Sequence, residues 1–178
     1  MSLYPDPAAD QPQLANERAA DARLADAVID RAFGPGRFVK VSERVREFAQ
    51  FAPELSFCAW RGGRLVGVVR QWRVRAGETP IVFLGPIAVD EAERMSGVGG
   101  LLIEQACAAA KAAGEAAVVL VGDEPYFGRF GFSAACARAV ELPGPVDRDR
   151  VLGVAFRPEG ERLKGLVRPL EGARLRPR

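Results

Sequence analysis

The run Arg94-Met95-Ser96-Gly97-Val98-Gly99-Gly100 strips side chains from Gly97, Gly99 and Gly100 just before an apolar stretch, Leu101 through Ala113. A ligand can then reach bare main-chain amides. A helix that begins on such a turn offers unpaired N–H groups to an anion, and phosphate is the usual one. The spacing narrows the choice of ligand. A nucleotide P-loop carries Lys and Ser or Thr after its last glycine, whereas Gly100 is followed by Leu101-Leu102. A dinucleotide loop needs a third glycine where Leu102 stands. What remains is Arg94-x-x-Gly97-x-Gly99, which a tight turn needing glycine only for its geometry would also explain. Arg94 itself can add a charge-assisted contact or pair with Glu91 or Asp90.

The flanking elements position this loop. Ile81 to Val89 is apolar and rich in β-branched residues, the composition of an interior strand. Pro86 cannot donate to a sheet ladder, so Gly85-Pro86 marks a point where this strand parts from a neighbour. Ala116 to Val121 reads as the second parted strand. Between them the spacing predicts a helix over 97–113, apolar on most sides, with Gly114 at its C-terminal cap.

Together these residues resemble the GNAT superfamily of acyl-CoA N-acyltransferases, and within it the YhbS-like branch of predicted bacterial N-acetyltransferases. The glycine run resembles the superfamily's pyrophosphate loop, Gln/Arg-x-x-Gly-x-Gly/Ala. Arg129-Phe130-Gly131-Phe132 resembles its later motif, aromatic-x-basic-x-Gly-Phe. Leu84-Gly85-Pro86-Ile87-Ala88-Val89, Gly122-Asp123 and Leu142-Pro143-Gly144-Pro145-Val146 are similar to phrases of the branch. The likeness is firm from Leu65 to Phe132 and loose elsewhere. It implies an α/β fold: a mixed, mostly antiparallel twisted sheet with splayed central strands and helices on both faces.

The resemblance also implies a function, acetyl transfer from acetyl-CoA as co-substrate directly to a primary amine. The alternative it leaves open is a catalytically weak module that binds acyl-CoA as a sensor or structural ligand. Implied CoA contacts are Ile87, Ala88 and Val89 for pantetheine, and Arg94, Met95, Ser96, Gly97, Val98, Gly99 and Gly100 for the pyrophosphate. Tyr126, Phe127 and Arg129 complete that set. In the superfamily a tyrosine often protonates the departing thiolate. That position aligns here to Phe127, and the tyrosine stands one residue earlier at Tyr126, a rotation of about 100 degrees on a helix. Tyr126 is the candidate general acid or a packed aromatic. The chain has no histidine, so Asp123 is the best-placed carboxylate for a base or a water holder, unless it caps the helix near Pro125. Glu54 and Glu124 are further choices.

Length and composition set wider bounds. At 178 residues and 48% hydrophobic the chain can bury one sizeable core, expected over residues 14–170. Residues 1–13 look disordered, and 171–178 look like a frayed basic tail. A net charge of +2 makes no electrostatic case for nucleic acid or a membrane surface. Cys58, Cys107 and Cys136 are expected as buried thiols in a reducing, bacterial cytoplasm, and no residue set suits a metal. Expected partners are small-molecule or peptide amines; a homodimer is left open.

Elsewhere the reading gives a strand at 14–18, helices at 21–33 and 38–51, and a hairpin, Ser56–Trp60 with Leu65–Trp72. A loop follows at 74–79, then strands at 134–142 and 150–156. Residues 159–167 match neither pattern. The helix pair is expected to wall the acceptor side, with Trp60, Trp72 and Arg70 as candidate lining.

Overall fold

The computed structural model describes residues 11–36 and 40–171. Its spine is a long antiparallel hairpin, β4 (Arg64–Ala76) and β5 (Thr79–Val89), paired from Gly67↔Val89 to Ala76↔Thr79. Around it the sheet runs β1 (Gln13–Asn16), β3 (Phe57–Arg61), β4, β5, β6 (Ala117–Val121), β8 (Val151–Ala155). The short strand β2 (Gln50–Phe51) also pairs with β4, as does β9 (Lys164–Arg168), which carries β7 (Ala139–Glu141) alongside it. Among the described strands only β5–β6 and β7–β9 are parallel. The architecture is the expected mixed, mostly antiparallel α/β sheet.

Both faces are covered, as apolar residues on both sides of β4 and β5 demand. On one face lies α3 (Val98–Ala112), which buries Val98, Leu102, Ile103, Ala106 and Ala110. It lies so close to β4 that a Cβ on Gly67 would stand 2.9 Å from both Leu102 Cδ1 and Val98 Cγ1. On the other face α1 (Ala22–Phe33) packs Ala25, Val28 and Ile29 against Cys58, Leu65 and Val68. Beside it α2 (Val41–Phe48) packs Val41 and Val45 against Val74 and Phe83. Each fully buried Val, Leu, Ile or Phe among them contributes about 1.5–3 kcal/mol of transfer free energy.

Polar groups fix the hairpin's position. Gln71 is fully buried and donates Nε2 to the carbonyls of Leu55 (2.6 Å) and Ala106 (2.9 Å), tying β4 to α3. Arg70, beside the register shift in β4, makes a two-pronged bond to buried Glu17 and reaches Asp26 at 2.8 Å. Burial disfavours the Arg70 charge, but these carboxylates more than offset it and raise its pKa.

Several boundaries differ from the sequence reading. The second helix ends at Phe48, and Ala49 turns extended so that Gln50 and Phe51 pair with Arg73 and Trp72. Its expected start, at 38–39, lies outside the described residues. Of the supposed loop 74–79 only Gly77 and Glu78 are a turn, and Val74–Ala76 continue β4: Val74 and Ala76 are buried while Arg75 reaches Glu78 and Glu171, so alternation hides beneath the charge. Residues 134–138 form turns, leaving only Ala139–Glu141 as strand, and the polar stretch after 159 contains β9. The first strand covers Gln13–Asn16 rather than 14–18, so Gln13 is ordered in a sheet. Of the other residues expected to be disordered, Gln11 and Pro12 lie before the strand and 1–10 lie outside the described residues, as does the tail from 172. Of the three thiols only Cys58 is buried; Cys107 and Cys136 are half-buried.

Candidate functional site

After β5 the chain makes a short 3-10 turn, Glu91–Glu93, pinned by arginines from elsewhere. Asp90 meets Arg64 (3.2 Å) and Arg31 (3.7 Å), and Glu93 meets Arg61 (3.3 Å). Arg94 is therefore not taken up by Asp90; it is exposed, with no carboxylate partner among the described residues. Ser96 turns back on Glu93 through both its N–H (3.0 Å) and its hydroxyl (2.7 Å). Gly97 then takes φ +82°, a left-handed conformation open to glycine, and starts α3 with no side chain capping it. The first-turn N–H groups have no acceptor one turn back, and the helix end carries about half a positive charge. Gly99 and Gly100 keep this end bare.

The Tyr126 segment forms the floor beside it. The short helix α4 (Glu124–Phe127) runs on into a 3-10 turn at Gly128–Phe130. A Cβ on Gly99 would lie 3.1 Å from the Tyr126 hydroxyl, and one on Gly100 3.4 Å from Phe130 Cζ. The Arg129 guanidinium lies 4.5 Å from the Tyr126 ring centre and 5.5 Å from that of Phe130. Met95 stands beside this end almost wholly in solvent, 99% exposed. Arg94 to Gly100, Tyr126 and Arg129 thus converge on one corner.

Next to that corner the sheet opens. β5 and β6 pair only at Val82↔Val118 and Phe83↔Val119. Beyond, β5 follows β4 to Val89 while β6 follows β8 to Val121, so Leu84–Val89 and Leu120–Val121 diverge. Gly85 and Pro86, joined by a cis peptide, stand where they part, and Trp72 Nε1 donates to the Gly85 carbonyl at 2.7 Å. Ile87, Ala88 and Val89 line the edge β5 turns towards the gap.

The far end of the gap opens into a cavity of about 520 Å³. Leu84 to Ile87 and Leu120 to Asp123 form its base, α2 one wall and residues 145–150 another. Phe127 lines it; Tyr126 does not. The one-residue offset is decisive here: the Phe127 ring fits over Gly122, where a Cβ would come within 2.3 Å of Cε2, while Tyr126 turns to the start of α3. Asp123 lines the cavity, and its carboxylate accepts from Arg150 Nε (3.1 Å) rather than capping α4. Glu54 is elsewhere, bonded to Arg73; burial raises its pKa, and the Arg73 bond overcomes this and leaves it lowered. Glu124 sits in the first turn of α4 outside the cavity wall.

Sequence reasoning missed Lys40, Ser42, Arg46, Asp147 and Arg150, all in the cavity wall. They come from segments far apart in the chain, and each alone reads as surface charge. From the helix pair, Phe33 and residues of α2 line the cavity. Trp60, Trp72 and Arg70 do not line it. Among the described residues no group of three or more His, Cys, Asp or Glu is placed to hold a metal ion.

Comparison with known proteins gives a family match over residues 23–132, to the acetyltransferases described as the "Acetyltransferase (GNAT) family". Two solved structures are similar over almost the whole chain. One is the GNAT family N-acetyltransferase YhbS of Escherichia coli, crystallised with CoA: 26% identity, 94% of each chain covered, TM-score 0.76. The other is a GNAT family acetyltransferase of Brucella melitensis with acetyl-CoA, at 26% identity, 91% of this chain and 97% of that one, TM-score 0.67. Naa50 of Arabidopsis thaliana with a bisubstrate analogue shares the fold alone, at 16% identity, 82% and 99% coverage, TM-score 0.55. No curated protein matches the chain.

Proposed function

Because the chain belongs to the GNAT acetyltransferase family, we propose that it carries the acetyl group of acetyl-CoA directly to a primary amine. Residues 14–170 act as one such domain, working in the cytoplasm on a small-molecule or peptide amine. One observation carries the reading: β5 and β6 part along a line joining the uncapped start of α3 to a cavity of about 520 Å³. That line suits a ligand with phosphates at one end and a thioester at the other. YhbS and the Brucella enzyme, crystallised with CoA and acetyl-CoA, support the same ligand here.

In this account the N–H groups from Met95 to Gly100 receive the diphosphate, and Arg94 adds charge. Ile87, Ala88 and Val89 offer backbone groups to the pantetheine arm. Tyr126 and Arg129 flank the phosphate end, and Phe127 closes the thioester end. An amine entering the cavity attacks the thioester carbonyl: a C–N bond forms, the C–S bond breaks, and the amine's proton leaves by Asp123 or water. The thiolate then takes a proton from solvent. Tyr126, the expected acid, is assigned instead to the phosphate end, because its hydroxyl lies beside Gly99 and outside the cavity wall.

The test is thiol release from acetyl-CoA against an amine library, with CoA binding followed by calorimetry. Saturable, amine-dependent release together with CoA binding supports the transferase. The sensor reading is favoured by a chain without histidine and a cavity wall without tyrosine. Tight CoA binding with only slow background release would select it.

A further inference from the structure

The cavity is walled by charge of both signs, partly paired within each wall. Along the α2 wall stand Lys40 and Arg46. Along the opposite wall stand Asp123 and Asp147, with Arg150 bonded to the first. Arg46 is almost fully enclosed, with 9% of its side chain exposed. Glu43 pairs with its Nη2, and its Nη1 lies 3.7 Å from where a Gly85 Cβ would be, at the parting of β5 and β6. Lys40 Nζ sits 5.0 Å from the centre of the Phe33 ring and has no carboxylate partner among the described residues. Across the cavity, Asp147 accepts from the Asp149 N–H (3.0 Å), which fixes its carboxylate at the head of a 3-10 turn.

We propose that the acyl acceptor is a small amine that also bears an anionic group, an amino-acid-like zwitterion, with its anion on Lys40 and Arg46 and its ammonium facing Asp123 and Asp147. This rests on the acetyl-transfer reading above and narrows its acceptor. The anion would be held beside Gly85, so the amine is presented to the thioester end of the gap. Glu43 balances Arg46 and Asp123 balances Arg150, which leaves Lys40 on one wall and Asp147 on the other, so a polyamine or other purely cationic acceptor would bring a cation against Lys40 and offer it no anion. Like charges brought together across a desolvated surface disfavour such a partner. Charge separation of this kind sets specificity through the unpaired charge left behind by the wrong ligand.

The test compares matched acceptors with the full chain and acetyl-CoA: glycine against glycinamide, β-alanine against propylamine, phosphoethanolamine against ethanolamine. At neutral pH more of glycinamide than of glycine is in the reactive neutral form, so chemistry alone favours the amide. The proposal expects the anionic member of at least one pair to show about tenfold or higher kcat/KM, the scale of one charge-assisted hydrogen bond. Lys40→Gln, at an exposed helix start, should raise KM for that acceptor about tenfold while KM for acetyl-CoA is unchanged. Arg46→Lys should retain more of the preference than Arg46→Gln. Equal rates within every pair, or a preference that survives both Lys40→Gln and Arg46→Gln, overturns the proposal but leaves acetyl transfer standing. Binding of acetyl-CoA with no transfer to any of the six amines also overturns it. Failure to bind acetyl-CoA overturns this proposal and the transferase reading together.

Discussion

The two ends of the parted strands are built from different material. The proposed phosphate end is main chain: the N–H groups opening α3, held clear by Gly97, Gly99 and Gly100. The proposed acceptor end is side chains: Lys40 just before α2 and Arg46 within it, Asp123 after β6, Asp147 and Arg150 from the loop before β8. A main-chain site is written in a handful of consecutive residues. A side-chain site gathered from three segments exists only once the fold brings them together.

Breaking the phosphate end should have the largest effect. Gly99→Glu sets a carboxylate at the start of α3, where a Cβ already lies 3.1 Å from the Tyr126 hydroxyl. Like-charge repulsion of about 3 kcal/mol, roughly 100-fold in affinity, is expected against CoA. Calorimetry should lose CoA binding while circular dichroism stays native; binding retained would remove the loop from the site. At the acceptor end, Asp123→Asn should lower kcat/KM for the amine about tenfold with CoA affinity unchanged, on the scale of one charged hydrogen bond. A fall in CoA affinity instead would place Asp123 with the phosphate end.

Tyr126→Phe sharpens the boundary between the two. Its hydroxyl lies by Gly99 and outside the cavity wall, so kcat should stay within about twofold, below the usual contribution of one neutral hydrogen bond to the reacting group. A large drop in kcat at constant CoA affinity would return the general-acid role to this tyrosine. Arg64→Ala should act least. Arg64 bridges Asp90 and Glu93 but is 59% exposed, so its pairs are worth well under about 1 kcal/mol. KM for acetyl-CoA should rise about twofold at most, and kcat should not move.

The thiols give a pH check that bears on every one of these assays. Burial pushes Cys58 and Cys107 up to about 12, so both stay protonated at the pH of a thiol-release experiment. A disulfide reagent should therefore report released CoA and leave these two unlabelled until the chain is unfolded. The sign for stability follows: burying the neutral thiols stabilises the fold below the ordinary thiol range, and that contribution is lost as pH climbs towards 12. Rapid labelling of native Cys107 at pH 8 would contradict the packing of α3.

Legibility followed the same division. Ile81 to Val89, the glycine turn, α3 and β6 could be read because composition, breaker residues and helical spacing agree within a short window. So could the place where the strands part, since Pro86 cannot complete a ladder. The end of β4 could not, because Arg73 and Arg75 mask an alternation whose buried members, Val74 and Ala76, pack under α2 and β9. Nor could β9, whose polar residues pair with β4 and β7 only after the chain has crossed the sheet. At the site, the offset between Tyr126 and Phe127 was visible, but which of them faces the cavity depended on Gly122 admitting the Phe127 ring. Lys40 and Arg46 gave no local sign, since the charge opposite them lies about a hundred residues away.

A crystal structure of the chain with acetyl-CoA tests the central claim most directly. The account predicts the diphosphate within hydrogen-bond reach of the N–H groups from Gly97 to Gly100, the pantetheine arm between Ile87–Val89 and Leu120–Val121, and the acetyl carbon opening into the cavity beside Gly85. Acetyl-CoA bound elsewhere, or β5 and β6 drawn together along their whole length in the complex, would contradict it.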